Sequence, residues 1–213
     1  MIAFLVQGGV VLVPILALSI VAVALIIQKS VFFYYSRNVN SDLGAYVIEL
    51  LQKGKGVQAM KELQQLRCPE ARVLLAGLQS RRAGHGPELI GLHMESQAMR
   101  SAEQLEKNVP YLASIANLAT LLGLLGTVTG MIVSFFNLRV SGVSDPALLA
   151  GGISQALITT AAGLSVAIPS LFFFHIFRQK VNRTLSRVEI ATSELLSFFS
   201  RQKQGKGRSE KHG

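Results

Sequence analysis

Apolar residues along this chain gather into three long blocks, and charged residues recur between and after them. The third block, Leu148 to Phe177, contains no Lys, Arg, Asp or Glu. At about 1.5 Å of rise per residue, a helix of that length exceeds the roughly 20 residues needed to cross a bilayer. The second block, Tyr111 to Phe136, is equally free of charge. The first, Val10 to Ile27, is also uncharged, although it carries Pro14 and Ser19. The pattern predicts transmembrane helices over residues 10–27, 109–136 and 148–177.

Neither of the last two helices reads as apolar all round. At 100° per residue, Gly152, Gln155, Ala156, Thr159, Thr160, Gly163, Ala167 and Ser170 share one arc of the third. Ile153, Leu157, Leu164, Ile168 and Leu171 fall opposite, with Val166 the main exception. On the second, Ala113, Ala116, Thr120, Gly123, Gly126, Thr127, Gly130 and Ser134 oppose Leu118, Leu121, Leu125, Val128, Ile132 and Phe136. A helix facing only lipid has no use for a polar stripe, so each faces lipid on one side and protein or an interior on the other. Gly126 and Gly130 form a small-xxx-small pair that permits close backbone approach, and Gly123 and Gly163 extend the small-residue surface.

Residues 28–108 read as soluble helices, with apolar positions such as Val47, Leu50, Leu63 and Leu74 among recurring charges. Breaks are predicted at Gly54-Lys55-Gly56, Cys68-Pro69 and Gly84-His85-Gly86-Pro87, with a last helix running from about Pro87 towards the membrane. Lys29 and the aromatic run Phe32 to Tyr35 read as an interfacial anchor. Residues 178–213 continue the third helix as an amphipathic segment to about Phe199 and end in a basic, Gly-containing tail that reads as disordered.

Charge then sets an orientation. Eleven of the 21 Lys and Arg residues lie in 28–108 and nine in 178–213; the 137–147 connection has only Arg139 and residues 1–9 have none. The positive-inside rule places 1–9 and 137–147 outside and both basic segments in the cytoplasm, giving an N-out, C-in topology. The fold class expected is an all-α integral membrane protein with three crossings, the second and third extended into a cytoplasmic helical region. The net charge of +9 lies outside the apolar blocks and lacks aromatic platforms or a nucleic-acid motif, so no nucleic-acid partner is expected. A missing basic n-region argues against a cleaved signal peptide. Cys68 is the single cysteine, which rules out an intrachain disulfide and a cysteine metal cluster.

The chemistry available is narrow. No carboxylate lies between Glu106 and Asp145 or between Asp145 and Glu189, so the second and third blocks hold no acidic proton carrier. They offer hydroxyls instead, Thr120, Thr127, Thr159 and Thr160, with Gln155 nearby. Two readings stand. The threonines are interhelical glue, or Thr127 and Thr160 line an interior and meet a group that another subunit supplies. The histidines lack supported metal-ligand spacing, and no GxSxG, Walker A or HExxH element occurs, so no metal, cofactor or enzymatic activity is expected.

In the segments GGVVLVPILALSIVAVALI, NVPYLASIANLATLLGLLGTVTGMI and GGISQALITTAAGLSVAIPSL the chain resembles the MotA/TolQ/ExbB proton channel family, nearest its ExbB/TolQ branch. The resemblance implies a stator subunit of the bacterial inner membrane, forming a pentameric ring around the membrane helix of an ExbD/TolR-like partner whose Asp carries protons. It implies a TonB- or TolA-like protein as the driven component, and it places the family's pore threonines on Thr127 and Thr160. Two positions depart from the family pattern, Gln155 and Gln28, where many members carry an acid. The alternatives are a non-conducting membrane scaffold and a transporter subunit with a substrate path of its own.

Overall fold

The computed structural model describes residues 9–35, 42–141 and 146–209, and every helix or strand assigned among them is an α-helix. They are α1 (Leu12–Tyr35), α2 (Leu43–Gln52), α3 (Gly56–Gln65), α4 (Pro69–Arg82), α5 (Pro87–Glu106), α6 (Val109–Ser141) and α7 (Pro146–Ser209). Expectations for residues 1–8, for Asp145 and for the last four residues fall outside the described residues. Among the described residues three stretches are long and apolar enough to cross a membrane, within Leu12–Tyr34, Pro87–Arg139 and Ala150–Gln202. Only 22% of the first and third apolar windows and 28% of the second are buried, so most of this apolar surface faces outward, as lipid contact requires.

The helix ends follow local chemistry. Gly54 (φ +75°) and Gly84 (φ +82°) close α2 and α4 in the left-handed conformation that glycine adopts without steric cost. Pro69 and Pro87 occupy first turns, where a missing N–H costs nothing. No such signal interrupts α1 after Ile27, and it continues through Lys29 to Tyr35. One junction differs from the expected straight run into the second span. Lys107 and Asn108 form a turn between α5 and α6, and Asn108 has φ +67°, a conformation Asn tolerates better than most residues. Pro110, in the first turn of α6, is the local signal for that restart.

The chain divides into two compact units. In the first (residues 1–31 and 108–177), α1 buries one narrow stripe, Leu12, Ile15 and Ala22, at near-heptad spacing. Leu18 of α1 and Val166 of α7 pack on Ala116, Ala119 and Ala167. The second unit (residues 32–107 and 178–213) has an ordinary hydrophobic core. Val47, Leu63, Leu74 and Met94 of α2 to α5 pack there with Val188, Leu195 and Phe199 of α7. Arg81 stacks 4.1 Å from the centroid of the Phe199 ring, which covers the end of that core with a cation–π contact.

Leu74 is fully buried at the centre of this second core. Leu74→Ala is expected to destabilise the unit by about 2–5 kcal/mol, whereas Val57→Ala, at an exposed position, should stay within about 0.5 kcal/mol. Denaturant unfolding of the detergent-solubilised protein measures both.

Candidate functional site

The candidate site is the face along which α6 and α7 meet in the first unit. The buried positions on α7 from Gly152 to Ser170 are Gly152, Ala156, Thr159, Gly163, Ala167 and Ser170, three or four residues apart. Those on α6 include Ala116, Ala119, Gly123, Gly126, Gly130 and Ser134. The opposite columns, Leu118, Leu121, Leu125, Val128, Ile132 and Phe136 on α6 and Ile153, Leu157, Leu164, Ile168 and Leu171 on α7, are exposed.

Small residues bring the two backbones into contact. A Cβ added to Gly163 would lie 2.5 Å from the Ala119 carbonyl oxygen and 3.0 Å from the Gly123 Cα. One added to Gly130 would lie 3.0 Å from the Gly152 carbonyl oxygen, and one on Gly126 would collide with the Thr159 side chain. At Gly163 and Gly130 the obstacle is main chain, which a rotamer change cannot relieve.

The hydroxyls sit on and beside this contact. Thr160 Oγ1 donates across it to the Gly123 carbonyl at 3.0 Å. Thr159 is fully buried and shares its proton between the carbonyls of Ala156 (2.9 Å) and Gln155 (3.1 Å). Thr127, half-buried at the edge of the stripe, donates to Leu124 O at 2.6 Å, and exposed Thr120 donates to Ala116 O at 3.0 Å. Gly123 lies one turn from both, so the Thr160 contact falls between Thr120 and Thr127 along α6. Thr127 and Thr160 are thus brought to one neighbourhood without a bond between them. Thr127 also borders a shallow apolar recess with Val128, Met131, Ile132 and Phe135.

Each of these hydroxyls has given its proton to a backbone carbonyl. What it still offers a ligand is its oxygen lone pairs, so the edge is an acceptor surface. Ser134 and Ser170, both about 1% exposed, do the same with Gly130 O (3.0 Å) and Val166 O (2.7 Å) and extend the satisfied polar seam.

Gln155 has a different neighbour. It is half-buried, and its side chain lies against Gly9, just before α1, where a Cβ would meet Gln155 Cδ at 3.3 Å. Gln28, the other departure from the family pattern, accepts a hydrogen bond from Asn108 Nδ2 at 3.2 Å. Both amides therefore serve contacts inside the chain. Lys29, expected at an interface, is buried to 5% exposure. Its register with Leu12, Ile15 and Ala22 is the signal in the sequence that marks it. In the second unit His85 and His93 both contact Ser80 Oγ through Nδ1, at 3.0 and 2.9 Å. Among the described residues no three His, Cys, Asp or Glu side chains form a metal-binding group.

Residues 65–190, which include all of α6 and the membrane half of α7, match the model of the MotA/TolQ/ExbB proton channel family. The chain belongs to this family. Among similar MotA/TolQ/ExbB relatives, the ExbB-like protein 3 of Synechocystis sp. is 31% identical, over 91% of this chain and 92% of that protein. The TolQ protein of Haemophilus influenzae is 35% identical over 50% of this chain and 47% of its own length. The solved MotAB structure of C. jejuni has a similar fold, with TM-score 0.65 and 17% identity over 92% of this chain and 80% of that one. Three apolar helices in an all-α chain, with relatives named ExbB and TolQ, agree with the family and branch read from the sequence.

Two substitutions separate packing from hydrogen bonding here. Gly163→Val should push α6 and α7 apart and abolish recovery of folded protein from membranes. Thr160→Val removes only the bond to Gly123, a change of roughly 0.6 to 1.7 kcal/mol within a bilayer, and should leave folded protein recoverable. Size-exclusion profiles of the two variants in mild detergent read the difference.

Proposed function

We propose that this chain is an ExbB/TolQ-like stator subunit of an inner-membrane complex driven by proton-motive force. In this reading copies of it, five in the family's usual ring, surround the membrane helix of an ExbD/TolR-like partner whose Asp carries the protons. A TonB- or TolA-like protein receives the output. Residues 1–9 and 137–147 face the periplasm, and 28–108 and 178–213 face the cytoplasm. The basic residues, concentrated in the latter two segments, favour that orientation.

One observation carries the reading. The α6–α7 stripe presents hydroxyl oxygens with free acceptor capacity at Thr127 and Thr160, in apolar stretches that contain no carboxylate of their own. A lone-pair surface stabilises a protonated carboxylic acid, which donates to it, and does little for a carboxylate. Thr127 and Thr160, with exposed Thr120 one turn from the contact, therefore favour the neutral form of a partner Asp that takes its protons from the periplasmic side. Buried Thr159 supports the α6–α7 contact behind them. Neutralisation relieves a charge that costs about 2.5–3.5 kcal/mol at mid-membrane and lets the partner helix take a new place among the stator helices. Gly123, Gly126, Gly130 and Gly163 hold the two helices at the separation this requires. Gln155 braces the start of α1, a packing role that needs no proton.

Thr127→Val with Thr160→Val keeps shape and deletes both acceptors. Rings reconstituted with the partner should then keep their stoichiometry while proton-dependent work falls, because loss of a partner for a buried acid costs about 1–3 kcal/mol. Full activity of the double variant, or robust proton flux through this chain without a partner, would sink the shared-site mechanism. Reporters placed near Gly84 and between Ser141 and Pro146 test the orientation, and finding them on the same side would overturn it.

A further inference from the structure

The second unit contains a pocket of about 170 Å³ walled by Phe33 of α1, the start of α4 and the juxtamembrane part of α7. Lys180, Arg183 and Arg187 line it from successive turns of α7, and among the described residues Glu70 is its one carboxylate, so the lining carries a net formal charge of +2. Arg187 Nε lies 3.0 Å from Glu70 Oε1. Neither Lys180 nor Arg183 pairs with a carboxylate among the described residues, and Lys180 Nζ sits 5.6 Å from the centroid of the Phe33 ring. Burial raises the Cys68 thiol above its ordinary range, so it adds no negative charge to the wall.

Glu70 makes the pocket more than a solvated basic patch. Its side chain is 8% exposed, and its Oε1, despite the nearby arginine, accepts no hydrogen bond of proper geometry. Arg187 balances its charge as an ion pair, and the carboxylate's remaining lone pairs can take a further donor. The pocket thus offers two unpaired cations for an anion and one buried acceptor for a donor.

Its place along the chain narrows the ligand. Lys180 lies three residues past Phe177, about 4.5 Å along the helix from the end of the apolar block, and Phe33 belongs to the aromatic run that follows the first. That is where phospholipid headgroups lie. We propose that the pocket holds a phospholipid headgroup, with Lys180 and Arg183 on its phosphate and Glu70 accepting from an N–H or O–H donor at its polar end. Ethanolamine and glycerol headgroups have such a donor, whereas the quaternary ammonium of choline has none. The proposal does not depend on the stator reading.

Native mass spectrometry of the full-length, delipidated protein tests it, titrated separately with phosphatidylethanolamine, phosphatidylglycerol and phosphatidylcholine. The first two should be retained at least about tenfold more tightly than the third, because charge-assisted hydrogen bonds are among the strong ones. Lys180→Gln with Arg183→Gln, both at exposed positions, should weaken the first two by a similar factor with helicity unchanged. Equal retention of all three lipids in the wild-type protein would overturn the proposal without recourse to any variant. So would unchanged binding by the double variant. Displacement of bound lipid by millimolar inorganic phosphate would identify a free-anion site instead and overturn the lipid assignment.

Discussion

The first unit rests on how closely α6 and α7 approach. In hydrocarbon, burying leucine against leucine gains little, because the lipid tails that leave are equally apolar. Association must come from van der Waals contact between main chains and from hydrogen bonds, and both need short separations. Ala119, Gly123, Gly126 and Gly130 on one helix and Gly152, Ala156 and Gly163 on the other supply that separation. The Thr160 bond to the Gly123 carbonyl exists because the backbones already touch.

Helix α7 then changes its physics partway along. Through its apolar stretch the buried side chains are small, ending at Ala167 and Ser170. Beyond it they become large and keep a helical period: Val181, Val188, Leu195 and Phe199. Val188, Leu195 and Phe199 pack with α2 to α5 by removing apolar surface from water, a force absent from the membrane turns. One continuous helix thus presents contact suited to lipid in one half and contact suited to water in the other.

Much of this architecture is legible in the amino-acid sequence. Block length and charge define the apolar helices, and Gly54, Gly84, Pro69 and Pro87 mark breaks because each acts through local backbone chemistry. The paired small stripes are visible there because helical periodicity is a local property. Finer placement is not. A 100° projection groups Thr120 with Gly123, but only the neighbouring helix decides that one is exposed and the other buried. The Gln155 contact with Gly9, the Asn108 bond to Gln28 and the Glu70–Arg187 pair join residues far apart in the chain, where no pattern signals proximity. The turn at Asn108 does carry a local signal in Pro110, obscured by the apolar run that follows.

The glycine-lined contact also has a genetic side. Every missense change at a glycine codon encodes a larger side chain, and at Gly126, Gly130, Gly152 and Gly163 there is no room for one. A leucine on the exposed columns can change to isoleucine, valine or phenylalanine and remain compatible with lipid. Within the first unit, mutational sensitivity is therefore concentrated on its least elaborate side chains, the glycines that lie among the hydroxyls of the seam.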